Sequence, residues 1–123
     1  MSNLSSQFGG DAAKAGVAVS GATYAVVLGP IDVQNYVSLG VYVENAGGGS
    51  GDNLASVIVE TAPVVTGPWI VVGEVLSGPL AADDAVFDAL EEKARKFVRL
   101  SANCADDEDT TVNLWLCAAR YGR

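Results

Sequence analysis

Histidine is absent from this 123-residue chain. That removes the side chain most often used as a general base near neutral pH, along with Ser-His and Cys-His nucleophile pairs and the common zinc and copper sites. Positive charge is also scarce. Against 15 Asp and Glu there are only 7 Lys and Arg, giving a formal net charge of −8. Phosphate backbones and anionic lipid surfaces repel such a chain, so neither nucleic acid nor a membrane is expected as a partner. Lys14 is the single cation before Lys93, Arg95, Lys96, Arg99, Arg120 and Arg123. An acidic body with a cationic last third suits head-to-tail contact between copies or docking on a charged protein, and an unselected surface accounts for it nearly as well.

Long apolar runs are missing too. No segment approaches the roughly 20 consecutive apolar residues of a membrane-spanning helix. Residues 1–10 (Met-Ser-Asn-Leu-Ser-Ser-Gln-Phe-Gly-Gly) lack the basic start and apolar core of a secretory signal. Folding in a reducing cytoplasm is therefore expected. Cysteine is limited to Cys104 and Cys117. In Val98-Arg-Leu-Ser-Ala-Asn-Cys104 and in Val112-Asn-Leu-Trp-Leu-Cys-Ala118, the even positions are apolar or small. Two such even faces looking at one core turn Cys104 inward and Cys117 outward, which predicts two free thiols and no disulfide.

What is present points to strands. Half of the residues are hydrophobic, valine is the commonest of the larger ones, and 14 glycines punctuate the chain. These features favour one all-β domain over 15–123, preceded by a polar, extended N-terminal arm over 1–14 with isolated Leu4 and Phe8. Val17 and Val19 begin the alternation, and Tyr24 to Leu28 form a second strand that Gly29-Pro30 ends. Val37, Leu39, Val41 and Val43 then face one side, against Tyr36, Ser38, Gly40, Tyr42 and Glu44 on the other. Residues 45–53 form a Gly-rich loop joining two adjacent strands. Ala55 to Thr61 and Trp69 to Val75 supply further strands, with a turn over 63–68 between them and Ser77-Gly78-Pro79 closing the second.

Residues 83–96 are open to two readings. Asp83 or Asp84 can cap a helix with Val86, Phe87, Leu90 and Ala94 on its apolar side. Alternatively Val86, Asp88 and Leu90 end a strand, and the surrounding β pattern leans that way. The final pair sets Cys104 opposite Val112, Ala102 by Leu114, Leu100 by Leu116 and Val98 by Ala118, as a hairpin with an acidic tip. Some seven to nine short strands result, the pattern of a two-sheet antiparallel β-sandwich or jelly roll.

Chemistry-bearing constellations are few. Gly47-Gly-Gly-Ser-Gly51 lacks the lysine and helix of a phosphate-binding loop. Asp106-Asp107-Glu108-Asp109 lacks the ligand spacing and glycine of an EF-hand, which favours a solvated tip over a calcium site. Glu44, Glu60 and Glu74 lie at or near strands, and alternation sends Glu44 and Glu60 to the polar face, where solubility outweighs glycosidase-type catalysis. No catalytic residue, cofactor or metal ligand is expected. Trp115 falls on an outward face with Arg99, Ser101 and Cys117 as expected neighbours, suited to a subunit interface, to cover within the protomer or, less well, to a sugar. Leu4, Phe8, Trp115, Arg99 and Arg120 are the interface candidates.

The order of features at Val37-Ser-Leu-Gly-Val-Tyr-Val43, Ser56-Val-Ile-Val-Glu60, Thr66-Gly-Pro-Trp69-Ile-Val-Val72 and Ala94-Arg-Lys-Phe-Val-Arg-Leu100 resembles small β-sandwich virion proteins of tailed bacteriophages. The likeness is one of strand punctuation over about residues 17–120. The chain departs from it at Glu60-Thr-Ala-Pro63, where such proteins often have a Ser-x-Asp-Gly turn. The resemblance implies a non-enzymatic capsid decoration (cement) protein, assembled in the host cytoplasm into the virion. Such a protein is often a homotrimer bound to the major capsid protein lattice, which it reinforces. A carbohydrate- or receptor-binding module of a phage tail, using Tyr36, Tyr42 and Trp115 as a stacking platform, is the alternative.

Overall fold

A computed structural model describes residues 13–33, 36–48, 53–89 and 96–120. Eight strands follow one another: β1 (Ala13–Ser20), β2 (Ala25–Asp32), β3 (Tyr36–Asn45), β4 (Leu54–Ala62), β5 (Ile70–Leu80), β6 (Ala85–Ala89), β7 (Phe97–Cys104) and β8 (Asp109–Arg120). They form two four-stranded sheets, ordered β1-β8-β3-β6 and β2-β7-β4-β5. Every pairing is antiparallel. The molecule is all-β, and no helix among the described residues is long and apolar enough to cross a membrane.

Period-two patterning explains why the sheets face one another. Val41 and Val43 of β3, Val19 of β1 and Val112, Leu114 and Leu116 of β8 form the inner side of the first sheet. Leu28 and Ile31 of β2, Leu54, Val57 and Val59 of β4, Val75 of β5 and Val98, Leu100, Ala102 and Cys104 of β7 meet them from the second. All belong to one continuous apolar cluster, a sandwich-like arrangement. Each Val or Leu so enclosed contributes about 1.5–3 kcal/mol relative to exposure.

The expected β7–β8 hairpin does not form. β7 lies between β2 and β4 in the second sheet, whereas β8 lies between β1 and β3 in the first. The even residues of both strands do point at a common core, but across it rather than side by side. Two facing sheets satisfy that alternation as well as a paired hairpin does. Among the described strands only β4 and β5 are consecutive neighbours within a sheet. The Gly-rich 45–53 segment thus crosses between sheets, contrary to the expectation that it joins adjacent strands.

Other boundaries move for local reasons. Ala13 and Lys14, assigned by sequence to the arm, already pair with Trp115 and Leu114. Leu4 and Phe8 lie outside the described residues. Gly29-Pro30 does not end β2. Register shifts between Val26 and Leu28 and between Leu28 and Ile31 absorb it, with Gly29 at φ 99°. A β-carbon there would stand 2.8 Å from the Val98 carbonyl oxygen, so the strand continues only because the residue is glycine. β5 likewise runs through Ser77-Gly78-Pro79 to Leu80. Residues 85–89 are strand, and 90–95 lie outside the described residues.

One polar residue is fully enclosed where several strands end. Asn45, assigned by sequence to the loop, closes β3 with no exposed surface. Its Nδ2 donates to the Leu80 carbonyl at 2.7 Å, and its Oδ1 accepts from Gly47 N at 3.0 Å and from Thr110 Oγ1 at 2.6 Å. Its backbone N–H donates to Asp84 O and its carbonyl accepts from Asp83 N. A single residue, through its side-chain amide and its backbone, thus ties the ends of β3 and β5 to the starts of β6 and β8.

Candidate functional site

The outer face of the first sheet carries the most distinctive surface. Tyr42 of β3 stands directly opposite Trp115 of β8 on one side and Phe87 of β6 on the other. Directly opposed residues share a face, so the three rings form a row across adjacent strands. Tyr42 and Trp115 have centroids 5.1 Å apart with ring planes tilted by 57°, a favoured aromatic geometry. Phe87 is 57% exposed and Tyr42 38%, whereas Trp115 is half-buried. Phe87 lies over Gly40, where a β-carbon would collide with its ring. Glycine at that point lets the aromatic ring lie against the sheet.

A polar row lies beside the aromatic one. Asn113 Nδ2 donates to Glu44 Oε1 at 3.0 Å, and Asn113 Oδ1 accepts from Gly16 N at 2.8 Å. These bonds link β3, β8 and β1 on the same face and hold the strands under the rings in place.

Arg99 is not a neighbour of Trp115, because the strand carrying it belongs to the other sheet. Its Nε donates to Glu60 Oε1 at 2.9 Å and its Nη2 to Glu60 Oε2 at 3.4 Å. Its guanidinium stacks 4.4 Å from the centroid of the Trp69 ring. Ser101 Oγ donates to Glu60 Oε1 at 2.6 Å. Burial pushes the Glu60 carboxyl up, but the hydrogen bonds from Arg99 and Ser101 and the Arg99 charge outweigh it and hold the carboxyl below its usual range. Both partners of this pair are engaged locally. Glu44 and Glu60 stand on different sheets, so they do not converge as an acid–base pair. Arg120 ends β8 opposite Tyr36, and its side chain lies outside what is described, as does that of Tyr36.

A second apolar area lies on the other sheet, where Thr61, Ala62, Pro63, Pro68, Ile70 and Lys96 line an open pocket of about 470 Å³. Ile70, which lines it, is exposed, as are Val64, Val65 and Val71.

The acidic run shapes a crossing between sheets rather than a hairpin tip. Asp106 and Asp107 make the turn, Asp107 with φ 64°, and Gly21 N donates to the Glu108 carbonyl at 2.9 Å. No group of three or more Cys, Asp or Glu among the described residues is arranged to hold a metal ion. Cys104 is free and buried, its thiol 3.5 Å from the Val19 carbonyl oxygen. Burial, then the charges of Glu108 and Asp109, push that thiol up. The side chain of Cys117 lies outside what is described.

Of the interface candidates, Trp115 gains a row of partners in Tyr42 and Phe87. Tyr42 was named from sequence only as part of a stacking platform, and Phe87 was missed. Its signal was present, since a strand over 85–89 puts Phe87 opposite in facing to Val86. No protein-family model matches the chain, and no curated protein matches it.

Proposed function

We propose that the protein is a non-enzymatic structural protein acting through protein–protein association, in the role of a capsid decoration protein on a tailed-phage virion. The observation that carries the association is the Phe87–Tyr42–Trp115 row, an aromatic surface partly open to water on a strand-bonded face. Aromatic clusters of this kind dominate the energetics of protein interfaces. The virion role draws on the resemblance in strand punctuation, with the major capsid protein or other virion subunits as partners and a homo-oligomer as the unit of assembly. A jelly roll is the finer architecture we infer. The interleaved orders β1-β8-β3-β6 and β2-β7-β4-β5, in eight strands, support it, and viral capsid domains are among the users of that fold. Residues 1–12, ahead of β1, are assigned to an N-terminal arm.

Sedimentation equilibrium of the wild-type chain and of a Phe87→Ser/Trp115→Ser variant tests the association, followed by co-sedimentation with capsid shells. The wild type should form multimers or bind shells, and the variant should lose at least about thirtyfold in affinity while keeping the wild-type far-UV circular dichroism and a cooperative unfolding transition. A wild-type chain that remains monomeric and binds no shell refutes the proposal.

The carbohydrate- or receptor-binding alternative uses the same row, with Glu44 and Asn113 beside it. Sugar rings favour flat, exposed stacking surfaces. The 57° tilt between Tyr42 and Trp115, and the bond already joining Asn113 to Glu44, favour a protein partner. A glycan array with a reproducible hit that Tyr42→Ala abolishes would reverse that preference.

A further inference from the structure

We propose that the open pocket at the end of the second sheet binds a small amphipathic monocarboxylate, its apolar body against the walls and its carboxylate on the Lys96 ammonium.

The pocket forms where β4 ends, β5 begins and β7 starts. Thr61 and Ala62 close β4, Ile70 opens β5, and Lys96 stands one residue before β7. The register joins them: Thr61 lies opposite Ile70 on one side and Val98 on the other, and Ala62 lies opposite Phe97. Pro63 and Pro68 complete the lining, and between them the Gly67 N–H donates to the Val64 carbonyl at 3.0 Å. Two prolines flanking a bonded turn, on strands already paired, hold the shape before any ligand arrives. At about 470 Å³ the space falls in the range of small-molecule sites.

The lining selects the ligand's chemistry. Ala62, Pro63, Pro68 and Ile70 are apolar, and neither proline has an N–H to offer. Thr61 is polar, but its Oγ1 donates its proton to the Phe97 carbonyl at 2.8 Å. Of the six lining residues Lys96 alone carries charge. It is exposed, and an exposed lysine lays its stem along an apolar wall while its ammonium stays in water at the mouth. Glu60, the carboxylate next to Thr61, is matched by Arg99, whose Nε lies 2.9 Å from Glu60 Oε1. Asp32, opposite Phe97 on β2, lies across β7 from β4. A cation thus stands at an apolar mouth on a chain whose formal net charge is −8. A wholly apolar compound leaves that cation unused, and a bare anion leaves the walls unused. One carboxylate on an apolar body uses both. A molecule of about ten non-hydrogen atoms, each the size of a water at ~30 Å³, fills about two thirds of the space.

The pocket is on the opposite sheet from the aromatic row, so the proposal stands or falls independently of the association proposed above. Trp69 is the reporter, since it lies between Pro68 and Ile70 and stacks 4.4 Å from Arg99. Full-length protein labelled with 5-fluorotryptophan is titrated with octanoate, 1-octanol and octyltrimethylammonium, and Trp69→Phe assigns the two fluorine resonances. Octanoate should move the Trp69 resonance and not that of Trp115, saturating with a Kd on the order of 1 mM or tighter. Octyltrimethylammonium should bind at least about tenfold more weakly. Ile70→Asp should weaken octanoate and octanol at least about tenfold. Lys96→Gln should weaken octanoate about threefold to fivefold and leave octanol unchanged. Both replaced side chains are exposed, and far-UV circular dichroism checks that the variants stay folded. No saturation by about 10 mM octanoate overturns the proposal. So does a response at Trp115 alone, or binding indifferent to Ile70→Asp or to Lys96→Gln. If octanoate does nothing while Ile70→Asp breaks a multimer, the pocket is a contact between copies and the ligand proposal falls.

Discussion

Replacing Asn45 by alanine isolates what one enclosed amide contributes. The side chain makes three hydrogen bonds, to Leu80 O, Gly47 N and Thr110 Oγ1, and none of it reaches solvent. Removing it leaves a carbonyl, an N–H and a hydroxyl without that partner, at about 1–3 kcal/mol for each buried group so orphaned. Water entering the vacated space recovers part of this. The expected net loss is about 3–5 kcal/mol, a large share of a typical domain's stability. In a 123-residue chain it corresponds to a fall in Tm of about 12–20 °C. Urea unfolding followed by tryptophan fluorescence measures it, with the slope of free energy against urea unchanged, since the exposed area on unfolding hardly alters. A companion Thr110→Val substitution removes one of the three bonds, and a double-mutant cycle should return a coupling of about 1 kcal/mol across 65 residues of sequence. A loss below about 1 kcal/mol for Asn45→Ala, or no coupling to Thr110, would show that the amide is not a structural tie.

Glu60 titrates below its ordinary range when folded, so the unfolded chain takes up its proton first as the pH falls. The stabilisation is full above about pH 5 and is lost below the ordinary Glu value, as the folded carboxyl protonates in turn. Glu60→Gln should therefore cost about 1–2 kcal/mol at pH 7 by urea unfolding, and the gap to wild type should shrink toward pH 3. Two glycine substitutions should separate: Gly29→Ala meets backbone at positive φ and should cost at least about 2 kcal/mol, whereas Gly40→Ala meets the movable, exposed Phe87 ring and should cost under about 1 kcal/mol while turning that ring outward. In a Cys117→Ser background, Cys104 should resist a thiol reagent at pH 8 until urea unfolds the chain, because its thiol is buried and raised. Rapid native-state labelling would count against that placement.

The facing of residues is legible in the amino-acid order where alternation is strict. Alternation turns Val41 and Val43, Val98, Leu100, Ala102 and Cys104, and Val112, Leu114 and Leu116 inward, and all of them are buried. Tyr42 and Trp115 were assigned outward, and Tyr42 is exposed while Trp115 is half-buried. Strand neighbours were not legible. The even faces of β7 and β8 agree with side-by-side pairing and with opposition across a core, and only the second occurs. That error placed Arg99 beside Trp115, when it belongs with Glu60 and Trp69. Phe87 was missed because residues 83–96 fit a helix nearly as well as a strand. Asn45 looked like loop because glycines follow it, and no local pattern reveals that the ends of four strands converge there.

By itself, then, the amino-acid order determined which side of β3, β7 and β8 faces the core, but not of β2, where register shifts leave Tyr24 and Val26 exposed and bury both Val27 and Leu28. Side-chain projection is a local property of an extended backbone and repeats every two residues. Which strands lie side by side was decided only in three dimensions. Any two apolar faces bury one another about equally well, and the choice among partners depends on how all eight strands close around a single core at once. The aromatic row belongs to that second class, since its three rings come from strands far apart in the chain and meet only through the closed sheet order.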